Sequence, residues 1–292
     1  KLLNFSNSKV IALDRDKHIL NISKELEKKY IKRFFFHQKK FSSLETVIKD
    51  ETVDVVIFDL GLSSFQIKNL ERGFSFKSKD KLDMSMGLTS ISAEKVINNF
   101  SERSLKTIIK ILGEEKDASL IAKNIIKERL IKKISKVDQL VAIIEKSKRK
   151  NQNKINPSTK TFQALRIFVN KEVTELIEGI ISAAKVLKPG GKILVISFHS
   201  IEDKIVKYFF NNFSSSRSKP SRYLPDEKDN SFYLFDKYKN KIIKPSLTEI
   251  NKNPPSRSAK LRYAIRNENP FKYPYELINK FQKLIDLESI NV

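Results

Sequence analysis

The chain has 292 residues, no cysteine, and a formal charge of +23 from 57 Lys and Arg against 34 Asp and Glu. The missing thiols exclude a disulfide framework and a thiolate metal site, and the charge points to a polyanionic partner such as RNA, DNA or an acidic membrane surface. No window approaches the ~18 continuous apolar residues of a membrane span and no signal peptide is visible, while the 40% apolar content is enough for a core.

In chain order, residues 10–13 form a short apolar run that ends at Asp14. Residues 17–32 carry helical spacing through Ile19, Leu20, Leu26 and Tyr30. RFFFHQ, at 33–38, is a second short strand. Residues 42–50 predict a short helix capped by Ser42, with Glu45 placed for a capping box. VDVVIFDL, at 53–60, is apolar without alternation, which predicts a strand covered on both faces. This order of strands and helices is that of an α/β fold with a parallel sheet.

From Ile91 to Lys150 every segment has a helical pattern, so the spacing predicts an all-helical insertion. It ends in the lysine-rich run EKSKRKNQNKINP, which reads as a solvated face. Residues 158–187 predict one long amphipathic helix, stopped by KPGG at 188–191. KILVISF at 192–198 is another buried strand, and 200–213 a helix with Ser200 as cap and Asp203 in the box position. A polar stretch, SSSRSKPSRYLPDEKDN, follows, and then KIIKPSLTEI, with room for a strand. In NPPSRSAKLRYAIRN, Leu261, Tyr263 and Ile265 alternate as on an edge strand, and the last twenty residues predict a peripheral helix. The expected organisation is an α/β core of residues 1–88 and 158–292, interrupted by a helical domain at 89–157.

Ligands of open α/β sheets lie beyond the carboxyl ends of the strands. Asp14 and Asp59 stand at such ends. Asp14 suits the two hydroxyls of a ribose, or caps the helix after it. Phe41, just past the second strand, flanks a flat adenine or packs in the core. Asp59 would repel a nucleotide phosphate, and no GxGxxG or GxxxxGK[ST] loop is present. A cationic, phosphate-free ligand such as S-adenosyl-L-methionine fits this crevice better than NAD or ATP.

The segments ALDRD, FDLGLSSFQ, ERGFSF, LDMSMG, TFQALRIFVNKEV, LKPGGKILVISFHSIEDKIVKYFF and NPPSRSAKLRYAIR occur in that order between Val10 and Arg266. In them the chain resembles the bacterial methyltransferase family that modifies the exocyclic N4 of a cytidine in the decoding region of 16S rRNA. The resemblance implies a class I (Rossmann-like) methyltransferase core with an inserted all-helical domain. It implies S-adenosyl-L-methionine as cofactor, with Asp14 on the ribose, Phe41 at the adenine, and Asp59 and Gln66 as further contacts. It also implies 16S rRNA in the small ribosomal subunit as partner, no membrane, a monomer or homodimer, and a cytoplasmic location. The family's first strand and glycine-rich loop precede ALDRD; only nine residues precede Val10 here, without such a loop, so both are expected to be missing.

Cytosine N4 is a weak nucleophile because its lone pair is delocalised into the ring. It gains positive charge as it reacts, so acceptors are expected around it. Asp59 is the leading candidate, with the carbonyl of Leu60 or Gly61 beside it and Asp83 ranked lower as a second acid near the pocket or an anchor for Arg72. Gly61 lets the backbone approach a ligand closely. Ser63 holds the base or caps a short helix. His199, at the end of the strand through Phe198, could move a proton or meet a phosphate, and Phe198 could stack on the base. Arg257, Lys260, Arg262, Arg166 and Arg72 form the expected cationic set, and no metal is required. Two rival readings stand beside this one. An amino-methyltransferase for DNA or a small molecule is opposed by the lack of [DN]PP[YFW] after the third strand; the other is a non-catalytic RNA-binding or ribosome-assembly protein.

Overall fold

The computed structural model describes residues 1–89, 91–148, 156–215, 232–236 and 238–290. Strands and helices alternate at the N-terminal side as expected: β1 (Val10–Leu13), α1 (Leu20–Lys29), β2 (Phe34–His37) and β3 (Val53–Asp59). β1 and β2 pair in parallel, from Val10 opposite Phe34 to Leu13 opposite His37. In place of the expected helix at 42–50 there is only a 3-10 turn, Phe41–Thr46. Glu45 makes no capping box there. Its carboxylate accepts instead from Ser182 Oγ at 3.0 Å and Lys185 Nζ at 2.6 Å, tying the turn to a later helix.

α2 (Ser64–Lys68) follows β3, and then a long loop leads to α3 (Ala93–Asn99), α4 (Glu102–Leu112), α5 (Ala118–Ile131) and α6 (Val137–Ser147). Ser92 and Ser101 cap the first two of these helices by accepting backbone N–H groups. Leu105, Ile108, Ile109 and Leu112 of α4 recur at helical spacing and are fully buried, as are Ile121 and Ile125 of α5. An edge-to-face pair, Phe100 with Phe168, joins this block to the helix after it, and Phe76 of the preceding loop packs on Phe162 of the same helix. Most of the lysine-rich run near residue 150 lies outside the described residues, as does most of the polar stretch from 214 to 230.

The expected long helix at 158–187 is two helices, α7 (Thr159–Asn170) and α8 (Glu172–Val186). The break is at Lys171, whose φ of 50° is left-handed. Asn170, fully buried before it, accepts from Met86 N–H and donates to Met84 and Arg166 carbonyls, while its own carbonyl accepts from Arg15. α8 is buried along almost its whole length. Gly179 permits this, since a Cβ there would meet the Phe41 ring at 2.8 Å and Phe58 at 3.3 Å.

β4 (Leu187–Ser197), α9 (Ser200–Asn212), α10 (Leu247–Lys252), β5 (Lys260–Ile265) and α11 (Tyr275–Glu288) complete the order. β4 begins before KPGG rather than after it. Val53 pairs with Leu187 and Val55 already with Lys192, so Lys188–Gly191 bulges out of register with Gly190 at φ +78°. β3 and β4 are parallel, and β5 lies antiparallel on β4. KIIKPSLTEI contributes one bridge, Ile243 to Leu261, and then α10. On β5 the alternation is present, but Arg262 and Ala264 form the buried face and Tyr263 is exposed. β3 is not covered on both faces: Val55 and Ile57, which share one face, are 47% and 45% exposed, while Phe58 on the other is buried. No helix of the described residues is long and apolar enough to cross a membrane.

α11 is fastened by Glu288, whose carboxylate accepts from the N–H groups of Val173 and Thr174, each at 2.9 Å, and from Thr174 Oγ1 at 2.7 Å. These are open donors of the first turn of α8. Burial pushes the Glu288 carboxyl up to about 7 from an ordinary 4.5; the three donors oppose this and the Glu172 charge adds to it. Between those two values the folded chain holds a proton that the unfolded chain has lost. The resulting stabilisation is complete below the unfolded value and disappears as pH rises through the folded one, an effect of about 3 kcal/mol. Urea unfolding of wild type and Glu288→Gln across this range should show wild type losing stability relative to the variant as pH increases. Parallel pH dependences would sink the assignment.

Candidate active site at the carboxyl end of the sheet

β3 ends at Asp59, and its exit builds one wall of the site. Leu60 N–H still bonds Ile196 O of β4, and Gly61 then turns the chain at φ +89°. A Cβ at Gly61 would lie 3.4 Å from the Phe198 ring, which leaves room, so glycine is needed for the dihedral rather than for space. The Asp59 carboxylate makes no hydrogen bond or ion pair within the described residues. Asp59 is exposed at the strand end, and partial desolvation, then the charge of Glu202, push its pKa up. Ser63 caps α2: its Oγ accepts from Gln66 N–H at 3.2 Å, while Gln66 Oε1 accepts from Ser63 N–H at 2.9 Å. The Ser63 hydroxyl proton stays available to a ligand.

Gln66 is buried and gives Nε2 to Asp16 at 2.8 Å. The same Asp16 oxygen accepts from Arg72 Nη1 at 2.5 Å, and Arg72 Nη2 donates to Ser85 O at 3.0 Å. The guanidinium also stacks over Phe74, 5.1 Å from the ring centroid. Burial alone would raise the Asp16 carboxyl, but the bonds from Arg72 and Gln66 outweigh it and hold it below the usual range. Thus ERGFSF fastens the loop to β1's exit through Asp16. Asp83 is not Arg72's partner; it accepts from Ser85 Oγ. Among the described residues Asp14 accepts only from Asp16 N–H, at 2.8 Å, and burial, reinforced by the Asp16 charge, raises its pKa. Asp14 and Gln66 are therefore linked through Asp16. Phe41 stands apart from them, packed edge-to-face on Phe58 at 5.6 Å beneath α8.

At the end of β4 the capping residue of α9 is His199, and the box acid is Glu202, not Asp203. Glu202 Oε2 accepts from the N–H groups of Phe198 at 2.8 Å and His199 at 3.3 Å, and Oε1 lies 3.1 Å from His199 Nε2. Arg166 forks both oxygens of Glu172 at 2.9 Å, and its charge also acts on Glu202. Burial works against ionised Glu202, yet His199, Arg166 and the Phe198 N–H bring its pKa below normal. Glu172, His199 and Glu202 offer one ligand atom each within 4.8 Å of one another, as a cation site would. The Arg166 guanidinium already lies on this cluster as its counter-ion. His199 and Arg166 are thus turned inward onto Glu202 and Glu172 and are not presented as an open proton carrier or an RNA-facing cation.

The remaining cations divide in the same way. Arg262 is 2% exposed and is held by Asp203 at 2.7 Å and Tyr238 at 2.9 Å; Lys260 reaches the same Asp203 at 3.1 Å. Arg257 is exposed and has no partner among the described residues. Sequence reasoning missed Asp16 and Glu202. The signal for Glu202 was present, since it lies three residues after the strand-end His199, the box spacing.

Removing Arg72 leaves Asp16 buried without its cation. Arg72→Ala should lower unfolding free energy by about 3–5 kcal/mol and shift the Asp16 carboxyl upward. Urea unfolding and carboxyl NMR titration read both, and an unchanged Asp16 titration would refute the pairing.

Comparison with known proteins identifies the family. Residues 1–267 match the MraW methylase family. A "Ribosomal RNA small subunit methyltransferase H" from Bartonella grahamii is 43% identical over 264 residues, covering 90% of this chain and 79% of its own. Proteins of the same name from Bartonella quintana and Ehrlichia canis are 42% and 43% identical, over 99% and 91% of this chain and 84% and 88% of theirs. With the match running through every strand and through both walls of the site, the chain belongs to the MraW methylase family.

Proposed function

We infer that the chain methylates the exocyclic N4 of a cytidine in 16S rRNA of the small ribosomal subunit, with S-adenosyl-L-methionine as methyl donor. The observation that carries this is the unpaired Asp59 carboxylate beside Gly61, in a chain whose relatives are named ribosomal RNA small subunit methyltransferases. The donor set fits the cofactor. Asp14 keeps one carboxylate oxygen without a partner and Asp59 keeps both, among the described residues. Such acceptors suit ribose hydroxyls and a cationic amino-acid end, with Gln66 beside them. When bound, S-adenosylmethionine supplies an electrophilic methyl group.

The protein's task is to make the amine a better nucleophile. Asp59 accepts a hydrogen bond from the amino group, with a carboxylate that has no other partner among the described residues. The Gly61 turn brings backbone carbonyls close enough to assist, and the Ser63 O–H is available to the base. His199 acts through Glu202, which holds the Phe198 backbone beside Gly61. Phe41 serves the adenine side only by shaping the wall behind Asp59, through Phe58.

The finer fold assignment is a class I, Rossmann-like core built from residues 1–88 and 158–292, with 89–157 as the helical insertion. Support comes from the parallel pairs β1–β2 and β3–β4 and from the run of four helices between α2 and α7. A cytoplasmic location follows from the ribosomal substrate.

Incubation with labelled S-adenosylmethionine and small ribosomal subunits, followed by nucleoside analysis, should place label in N4-methylcytidine. Asp59→Asn should reduce the rate by about a hundredfold, the range seen on loss of one preorganised polar group. Full activity in that variant would remove Asp59 from the chemistry.

A further inference from the structure

We propose that Phe198, Pro254, Pro255, Arg257 and Ser258 form a nucleotide subsite, in which one unpaired RNA base lies against Phe198 and the prolines while Arg257 takes its phosphate. These residues line an open surface groove of about 460 Å³, with Pro254, Pro255, Arg257 and Ser258 exposed along it. The proposal rests on RNA being the substrate.

Strand register puts the groove there. β5 runs antiparallel to β4, with Lys260 opposite Ser197. Whatever precedes Lys260 must therefore overhang the carboxyl end of β4, where Phe198 follows Ser197. The preceding residues are the 3-10 turn Pro254–Ser258, stiffened by two prolines and closed by Ser256 N–H to Asn253 O and Ala259 N–H to Ser256 O. Lys260 and Arg262 both hold Asp203 of α9, so the base of the turn is fixed. Ser256, between Pro255 and Arg257, is 7% exposed and its hydroxyl has no partner.

The chemistry of the lining selects the ligand. Phe198 gives a flat face, which any base can stack on, and proline rings add rigid apolar walls. Arg257 is the one cation of the lining, and it is free, whereas its neighbours Lys260 and Arg262 are neutralised. An aromatic floor with a single free guanidinium at its edge suits a nucleotide of single-stranded RNA. Phe198 also lies beside Gly61, 3.4 Å from where a Cβ there would stand, so one ring borders both the Gly61 turn and the proposed subsite.

Binding of a labelled, cytidine-containing RNA hexamer to the full chain, followed by anisotropy across a salt series, tests this. Arg257→Ala should weaken binding about tenfold and reduce the slope of log affinity against log salt by about 0.7, the loss of one phosphate contact. Phe198→Leu should weaken binding about tenfold with the slope unchanged, as for loss of one stacked base. Lys283→Ala, an equal charge change on α11, should alter neither. Wild-type affinity and slope in both pocket variants overturn the subsite, even if the enzyme methylates cytidine. Arg257-dependent binding in a wild-type chain that transfers no methyl group supports the subsite and overturns the functional reading instead.

Discussion

The carboxyl edge of the molecule depends on one backbone event, the break between α7 and α8 at Lys171. In an unbroken helix Arg166 and Glu172 would point about 120° apart around the axis. The left-handed residue reverses the path, so that the guanidinium meets both Glu172 oxygens. It also opens the first N–H groups of α8, which Glu288 then satisfies from the C-terminal helix. The buried Asn170 secures the break by bonding the loop that contains Met84 and Met86. A single turn thus fixes the loop from Arg72 to Gly87, the end of β4 and the docking of α11. No local preference for a left-handed lysine explains it; the surrounding hydrogen bonds do.

The charges near the crevice are sorted by partner. Asp16 has Arg72, Glu172 has Arg166, Asp203 has Arg262 and Lys260, and Glu202 lies beside His199 within reach of the Arg166 charge. Among the described residues Asp14 and Asp59 have no ion-pair partner, and desolvation raises both, although Arg15 and Arg72 oppose it at Asp14. A crevice whose structural acids are neutralised and whose two remaining acids are not will favour a positively charged guest over a phosphate. This selectivity comes from which acids were left unpaired, not from the number of acids present.

The α/β alternation, the strand end at Asp59, the end of β4 to within one residue, and the edge strand β5 were legible because apolar runs and turn residues report them directly. Caps were read less well. Ser42, Ser200 and Asp203 have the right chemistry for caps, but the choice among neighbours depends on tertiary partners, and Glu45 and Asp203 found lysines and arginines elsewhere. The break at Lys171 was invisible because Asn-Lys-Glu within a strongly periodic segment carries no breaker. Arg166 looked like a surface cation since its acid, six residues on, is adjacent only after the break. Phe41 could not be resolved from spacing, because a ring that flanks a ligand and one that packs on Phe58 obey the same pattern. The site itself was legible to the extent that strand-end acids and the Gly61 turn mark it; the Asp16 and Glu202 scaffolding behind it required coordinates.

The arginines and lysines of this chain do different work. Among the described residues only Arg103 and Arg257 are exposed arginines. The others are wholly or partly enclosed, and Arg266 donates to the carbonyls of Ala184, Leu234, Asn267 and Asn269 without any carboxylate. The outward excess of charge is therefore carried mainly by lysine, a strongly hydrated point charge on a flexible stem. Such a coat draws RNA in from a distance and lets it slide, with little regard for sequence. Rigid planar recognition is left to very few groups, so capture and discrimination become separable: salt should slow the first without changing which nucleotide is finally chosen.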